Sequence, residues 1–178
     1  MPATPAIAIV VSRYNGSITG ALRRGAEAEF HKRTGQKKVA AVIPVPGAFE
    51  LPALCRAAAE SGRFSGVLAL GCLIRGETNH DWHIATAVAG GLVDITIRTG
   101  VPIAFGLLTT ETAAQAKARA GGVKGNKGAE AMSALLETVA TIRALEKDSA
   151  REFERTITRI SASPRADKAC RAKSGAAS

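Results

Sequence analysis

The sequence predicts an α/β fold: a three-layer αβα sandwich around a central four-stranded parallel sheet. Two observations carry this. Short apolar runs rich in branched residues alternate with longer segments of helical periodicity, four times in succession. Each run hands over to a helix rather than to a tight turn, and strands joined through helices form a parallel sheet with helices on both faces.

The elements follow in order. Residues 6–12 read as a first, wholly apolar strand ending at Ser12. Ser17 is a suitable cap for a helix over 18–33, with Ile18, Leu22, Ala26 and Phe30 inward. A second strand spans 39–45 and stops at Pro46-Gly47, and a helix over 50–61 is closed by Gly62. The third strand, 67–74, runs into Arg75-Gly76-Glu77-Thr78 and then a helix with Ile84, Val88, Leu92 and Ile95 on one face. Residues 101–108 form a fourth strand, and Thr110 starts a short helix over 111–120. The glycine-rich residues 121–128 break the chain. A last long helix carries Met132, Leu135, Leu136, Val139, Ile142 and Leu145 as its apolar stripe.

At 178 residues and 46% hydrophobic content the chain can bury one core, placed over residues 1–148. No apolar run approaches the roughly 20 residues that span a bilayer, and Met1-Pro2-Ala3-Thr4-Pro5 lacks the basic start of a secretory signal. Cys55, Cys72 and Cys170 form no CxxC pair, so reduced thiols and a cytoplasmic location are expected. The net charge is +9, and residues 151–178 hold seven Lys/Arg against three Asp/Glu. Residues 149–178 therefore read as a basic, disordered tail. The tail has no interleaved aromatics, which argues against nucleic acid as its partner.

In open parallel sheets, ligands sit beyond the carboxyl ends of the strands. The segments expected there are Arg13-Tyr14-Asn15, Gly47-Ala48-Phe49-Glu50, 72–80 and 105–110. Tyr14 and Phe49 offer flat faces to a heterocycle, and Asn15 and Glu50 offer hydrogen bonds to polar edges or sugar hydroxyls. The strand that delivers Gly76, Glu77 and Thr78 to a helix N-terminus makes an anion cradle. His80 stands beside it, and an imidazole titrates near neutrality, so it can move protons on a phosphorylated substrate. His80 and His83 share a helix face, but no third metal ligand at suitable spacing accompanies them. Gly121–Gly128 lacks the Gly-Lys-Ser/Thr ending of a P-loop and follows a helix rather than a strand.

Five ordered blocks resemble the lumazine synthase family: Arg13-Tyr14-Asn15, Pro46-Gly47-Ala48-Phe49-Glu50-Leu51-Pro52, the run from Gly71 through His80, Phe105-Gly106-Leu107-Leu108-Thr109-Thr110, and Arg119-Ala120-Gly121 followed by Gly125-Asn126-Lys127-Gly128. The resemblance covers about Ile7 to Leu145. It implies a flavodoxin-like fold and the condensation of 5-amino-6-(D-ribitylamino)uracil with 3,4-dihydroxy-2-butanone 4-phosphate. The products are 6,7-dimethyl-8-ribityllumazine, phosphate and water, the penultimate step of riboflavin biosynthesis. No metal or organic cofactor is implied.

Carried over position by position, the resemblance puts Tyr14 on the pyrimidine ring with Asn15 beside it. It puts Ala48, Phe49 and Glu50 at the ribityl chain and Cys72, Leu73 and Ile74 at the strand-end contacts. Glu77 and Thr78 fall on the phosphate, and His80 is the acid/base. Phe105 and Arg119 match residues given across a subunit boundary, with Arg119 on the phosphate and Lys127 nearby. A pentamer is implied, and the short Gly121–Gly128 connection fits a shell of sixty subunits. Riboflavin synthase is the protein partner the family suggests. Tyr14 stands where the family commonly has phenylalanine or tryptophan, and Asp81-Trp82-His83 replaces a more common Phe-Asp-Tyr. The alternative is a family-like protein that binds lumazine or riboflavin without making it, and intact His80, Arg119 and Lys127 argue against that. A flavodoxin-like signalling module would want acidic residues after the first strand, where this chain has Ser12-Arg13-Tyr14.

Overall fold

The computed structural model describes residues 5–146, 154–155 and 157–159. Two compact units divide the chain, 1–136 and 137–178. The first contains a parallel sheet of β1 (Ile7–Ser12), β2 (Ala41–Val45), β3 (Gly66–Ile74) and β4 (Ile103–Thr110), in the order β2-β1-β3-β4. Between them run α1 (Gly16–Thr34), α2 (Leu51–Glu60) and α3 (His80–Thr99), and after β4 comes α4 (Ala113–Arg119). A small antiparallel pair, β5 (Ala120–Gly122) and β6 (Gly125–Asn126), leads into α5 (Lys127–Glu146).

The strands are buried on both faces, which explains why they read as continuous apolar runs rather than alternating ones. Ala8, Val10, Val67 and Ala69 point into a core shared with Leu51, Cys55 and Ala58 of α2 and Val88, Leu92 and Ile95 of α3. The alternate residues Ile7, Ile9, Leu68 and Leu70 are also fully buried, and α1, whose Ile18, Leu22, Ala26 and Phe30 are buried, packs against β1 and β3. A side chain at Gly106 would meet Leu70, the Ala69 carbonyl and Ala131 of α5, so the missing Cβ lets that helix lie close to β4.

Several local expectations are corrected. Ser17 does not cap α1. The helix begins at Gly16, and Asn15 precedes it in the left-handed region (φ 55), which a short polar side chain tolerates. The fourth strand lies two residues later than expected, because its ladder with β3 continues through Ile74↔Thr110 and on to the Arg75 N–H, which donates to the Thr110 carbonyl at 2.8 Å. Thr110 is thereby used in the strand, and Thr112 caps α4 by accepting from the Gln115 N–H at 3.2 Å. The glycine-rich segment is a hairpin rather than a simple break.

In the second unit Val139 and Ala144 are buried, whereas Leu145, expected inward, is 59% exposed because the apolar stripe drifts off that face of the helix by its last turn. Residues 154–155 and 157–159 are helical, and the rest of the expected tail lies outside the described residues.

Candidate functional site

The strand order reverses direction between β1 and β3, the place where open parallel sheets form a crevice at their carboxyl ends. β3 overruns β1: their register ends at Val11↔Leu70, while β3 continues beside β4 to Ile74. One hydrogen bond spans the notch, from Asn15 Nδ2 to the Cys72 carbonyl at 3.0 Å. Because a carbonyl only accepts, the amide of Asn15 must face it with its NH₂, and Oδ1 is the end left to meet donors. On the other side of β1, the Arg13 N–H donates to Val45 at 2.8 Å, and the Tyr14 N–H to Pro46 and to Ser12 Oγ, each at 3.2 Å. These bonds bring the first three expected strand-end segments together.

Two aromatic rings stand out at this edge. Tyr14 is 70% and Phe49 64% exposed, so Phe49 is no core residue. Exposed aromatic area at the rim of a crevice is surface held ready for a flat partner. Ala48 and Cys72 are buried beneath, and Leu73 and Ile74 are half-buried. Glu50 accepts from the Gly47 N–H through Oε2 at 2.8 Å, which closes the 47–50 turn and orients its carboxylate.

Residues 75–80 are exposed. Asn79 precedes α3 without a side-chain cap, and His80 is the first helical residue. An open cleft of about 600 Å³ lies at the start of α3 and the β4–α4 connection. Asp81, Trp82, His83 and Glu111 line it, and His80 does not. The Trp82 and His83 rings meet edge to face at 5.3 Å. Arg75 and Glu111 face each other there at 4.0 Å, both exposed, a pair that adds little stability. Among the described residues no group of three His, Cys, Asp or Glu is placed to hold a metal, and no helix is long and apolar enough to cross a membrane.

Three expected residues are not at this crevice within the chain. Phe105 is paired with Ala69 in mid-sheet, on the outermost strand, and is 47% exposed. β3 separates it from β1. Arg119 ends α4, its Nη1 donating to the Gln115 carbonyl at 3.1 Å. Lys127 opens α5 and its Nζ meets Glu130 Oε2 at 2.7 Å. These two cations flank the β5–β6 hairpin. Asn126 lies between them in the fold, paired with Ala120, and its one signal in the sequence is an asparagine set among glycines.

Burial pushes the Cys55 thiol up to about 12 and the Cys72 thiol up to about 11. Both stay protonated at neutral pH, so neither is a nucleophile there. Each value lies above the ordinary 9.0 of the unfolded chain, which therefore releases its protons first. The stability this represents is whole below pH 9 and is lost as the pH climbs towards 11 to 12. Denaturant unfolding at about pH 8 and about pH 10.5 is expected to show the fall, with a shallower slope in Cys55→Ala. Identical slopes would remove the thiols from the account.

A parallel sheet covered on both faces, open at the switch point between β1 and β3, is the frame of an α/β enzyme of small molecules. The family model of 6,7-dimethyl-8-ribityllumazine synthase matches residues 4–143. A 6,7-dimethyl-8-ribityllumazine synthase of Edwardsiella ictaluri is 46% identical over 142 residues, covering 79% of this chain and 90% of that one. One of Deinococcus deserti is 43% identical over 136 residues, 76% of this chain and 87% of the relative. The protein named 6,7-dimethyl-8-ribityllumazine synthase 1 in Caulobacter vibrioides is 40% identical over 148 residues, 83% and 97% of the two chains. The chain belongs to the 6,7-dimethyl-8-ribityllumazine synthase family.

Proposed function

We propose that the protein is a lumazine synthase, condensing 5-amino-6-(D-ribitylamino)uracil with 3,4-dihydroxy-2-butanone 4-phosphate. What supports the reading, in a chain of this family, is the Asn15–Cys72 bond across the β1/β3 notch together with the exposed rings of Tyr14 and Phe49 on the neighbouring strand-end segments. Tyr14 stacks on the pyrimidine, and Ala48, Phe49 and Glu50 receive the ribityl chain. Backbone groups of Cys72, Leu73 and Ile74 meet the ring edge. Glu77 and Thr78 hold the phosphate at the start of α3, beside His80.

The chemistry needs positioning and proton transfer. The primary amine attacks the ketone and an imine forms with loss of water. Phosphate then leaves, and the ribitylamino nitrogen closes the ring with loss of a second water. His80 relays protons in these steps, and holding both substrates in one crevice lowers the entropic part of the barrier. Formation of 6,7-dimethyl-8-ribityllumazine from the two substrates tests the reading. Binding of the pyrimidine without turnover would overturn it.

The site is completed by a second copy. Phe105 and Arg119 serve a neighbour's crevice, with Lys127 near the same pocket; β3 lies between Phe105 and the chain's own β1. Val93 and Ile97 on α3 are 58% and 77% exposed, apolar surface suited to burial between subunits. A pentamer is the minimum active unit, a sixty-subunit shell its extension, the cytoplasm its compartment and riboflavin synthase a partner. Light scattering on purified protein is expected to give five subunits or a multiple of five. A fully active monomer would refute the shared site, and an active pentamer would remove only the shell.

A further inference from the structure

We propose that Asn126 is a positioning residue that sets the spacing of the two candidate phosphate-binding cations, Arg119 and Lys127. The inference rests on the anion-binding reading of those side chains. Asn126 immediately precedes Lys127, and its antiparallel partner Ala120 immediately follows Arg119. One residue therefore sits between the backbone positions of both cations.

Both ends of the Asn126 amide are engaged. Oδ1 accepts from the Ala129 N–H at 3.1 Å, which caps α5, and Nδ2 donates to the Ala21 carbonyl in α1 at 2.9 Å. The seat for this side chain is cut by glycines. A Cβ on Gly25 would land on the Asn126 amide, and a Cβ on Gly128 would collide with the Leu22 carbonyl. Gly25 of α1 and, at the far end of the hairpin, Asn126 and Gly128 thus build one joint, which bolts the hairpin to α1, the helix that Tyr14 and Asn15 precede.

The hairpin's other tie is to α4, where the Lys124 N–H donates to the Ala118 carbonyl at 2.8 Å. Residues 121–125 are exposed, and Gly121 and Gly125 have φ of 112 and 77, the freedom only glycine has. The Arg119–Gln115 and Lys127–Glu130 contacts each tie a cation to its own helix, not to the other cation. Their separation is set by the backbone between them, and the joint holds that backbone to α1.

Asn126→Ser separates the two bonds: serine still caps α5, but it is too short to reach Ala21. The Michaelis constant for the butanone phosphate and the inhibition constant of inorganic phosphate are expected to rise together by about 5- to 10-fold, the scale of one lost hydrogen bond. kcat and the Michaelis constant for the pyrimidine should hold. Gly25→Ala, which suits a helix interior and pushes the amide off its seat from the opposite side, is expected to reproduce the selective rise. Phosphate constants unchanged in either folded variant would overturn the proposal. So would both Michaelis constants rising together with a falling kcat, as general loosening gives. If Arg119→Ala leaves the phosphate constants untouched in an enzyme that still makes product, the cation role itself falls. If the unaltered protein makes no product, the reaction assignment falls.

Discussion

Replacing His80 with alanine is expected to slow lumazine formation by roughly 10- to 10⁴-fold, the range for removing a positioned acid/base. The loss should lie toward the low end, because an amine and a ketone condense unaided in water. Folding should be unaffected, since His80 is exposed at the first position of α3 and buries nothing. Substrate binding should also persist through the ring at Tyr14 and the phosphate contacts. His83→Ala is the internal control. That ring packs edge to face on Trp82 at 5.3 Å in the neighbouring cleft, and its removal should leave turnover close to the starting value. Unchanged turnover in His80→Ala would sink the assignment, and a larger loss in His83→Ala would transfer it.

The second large effect is on the phosphate. Arg119→Ala should raise the Michaelis constant for the butanone phosphate by roughly 10- to 100-fold, as loss of a charge-assisted contact worth about 1.5–3 kcal/mol would. The pyrimidine constant should change far less. The guanidinium contact within the chain is one bond to the Gln115 carbonyl, so its removal costs the fold little. Mixing active-site-defective subunits sharpens the test. If Arg119 serves a neighbour's crevice, assemblies mixed from Arg119→Ala and His80→Ala chains regain activity at crevices that draw each intact residue from a different chain. Equal effects on both substrates, or no recovery on mixing, would make Arg119 structural or local.

The architecture was legible because sheets buried on both faces write themselves as apolar runs. The inward residues Leu22, Ala26, Phe30, Val88, Leu92 and Ile95 follow from helical spacing alone. What sequence spacing could not give was anything fixed by pairing. Thr110 and Thr112 are both fair helix starts, and only the ladder from Ile74 through Arg75 consumes the first. Ser17 and Asn15 are equally good caps by local preference, yet Asn15 turns left-handed and gives its amide to Cys72, fifty-seven residues away. Pairing likewise sets Phe105 opposite Ala69, in mid-sheet rather than at the strand end. The seat of Asn126 is illegible in sequence because its partner Ala21 is 105 residues distant.

The overrun of β3 past β1 bears on how this protein can change over generations. A ligand that docks along strand backbone at Cys72–Ile74 is recognised by groups every residue type carries. The half-buried side chains of Leu73 and Ile74 are then free to drift among branched apolar types while affinity stays level, provided the extended geometry is kept. Proline is the exception, since it removes an N–H from the rim outright. Constraint concentrates instead on Asn15, where few residues combine a left-handed backbone with a donor that reaches across the notch.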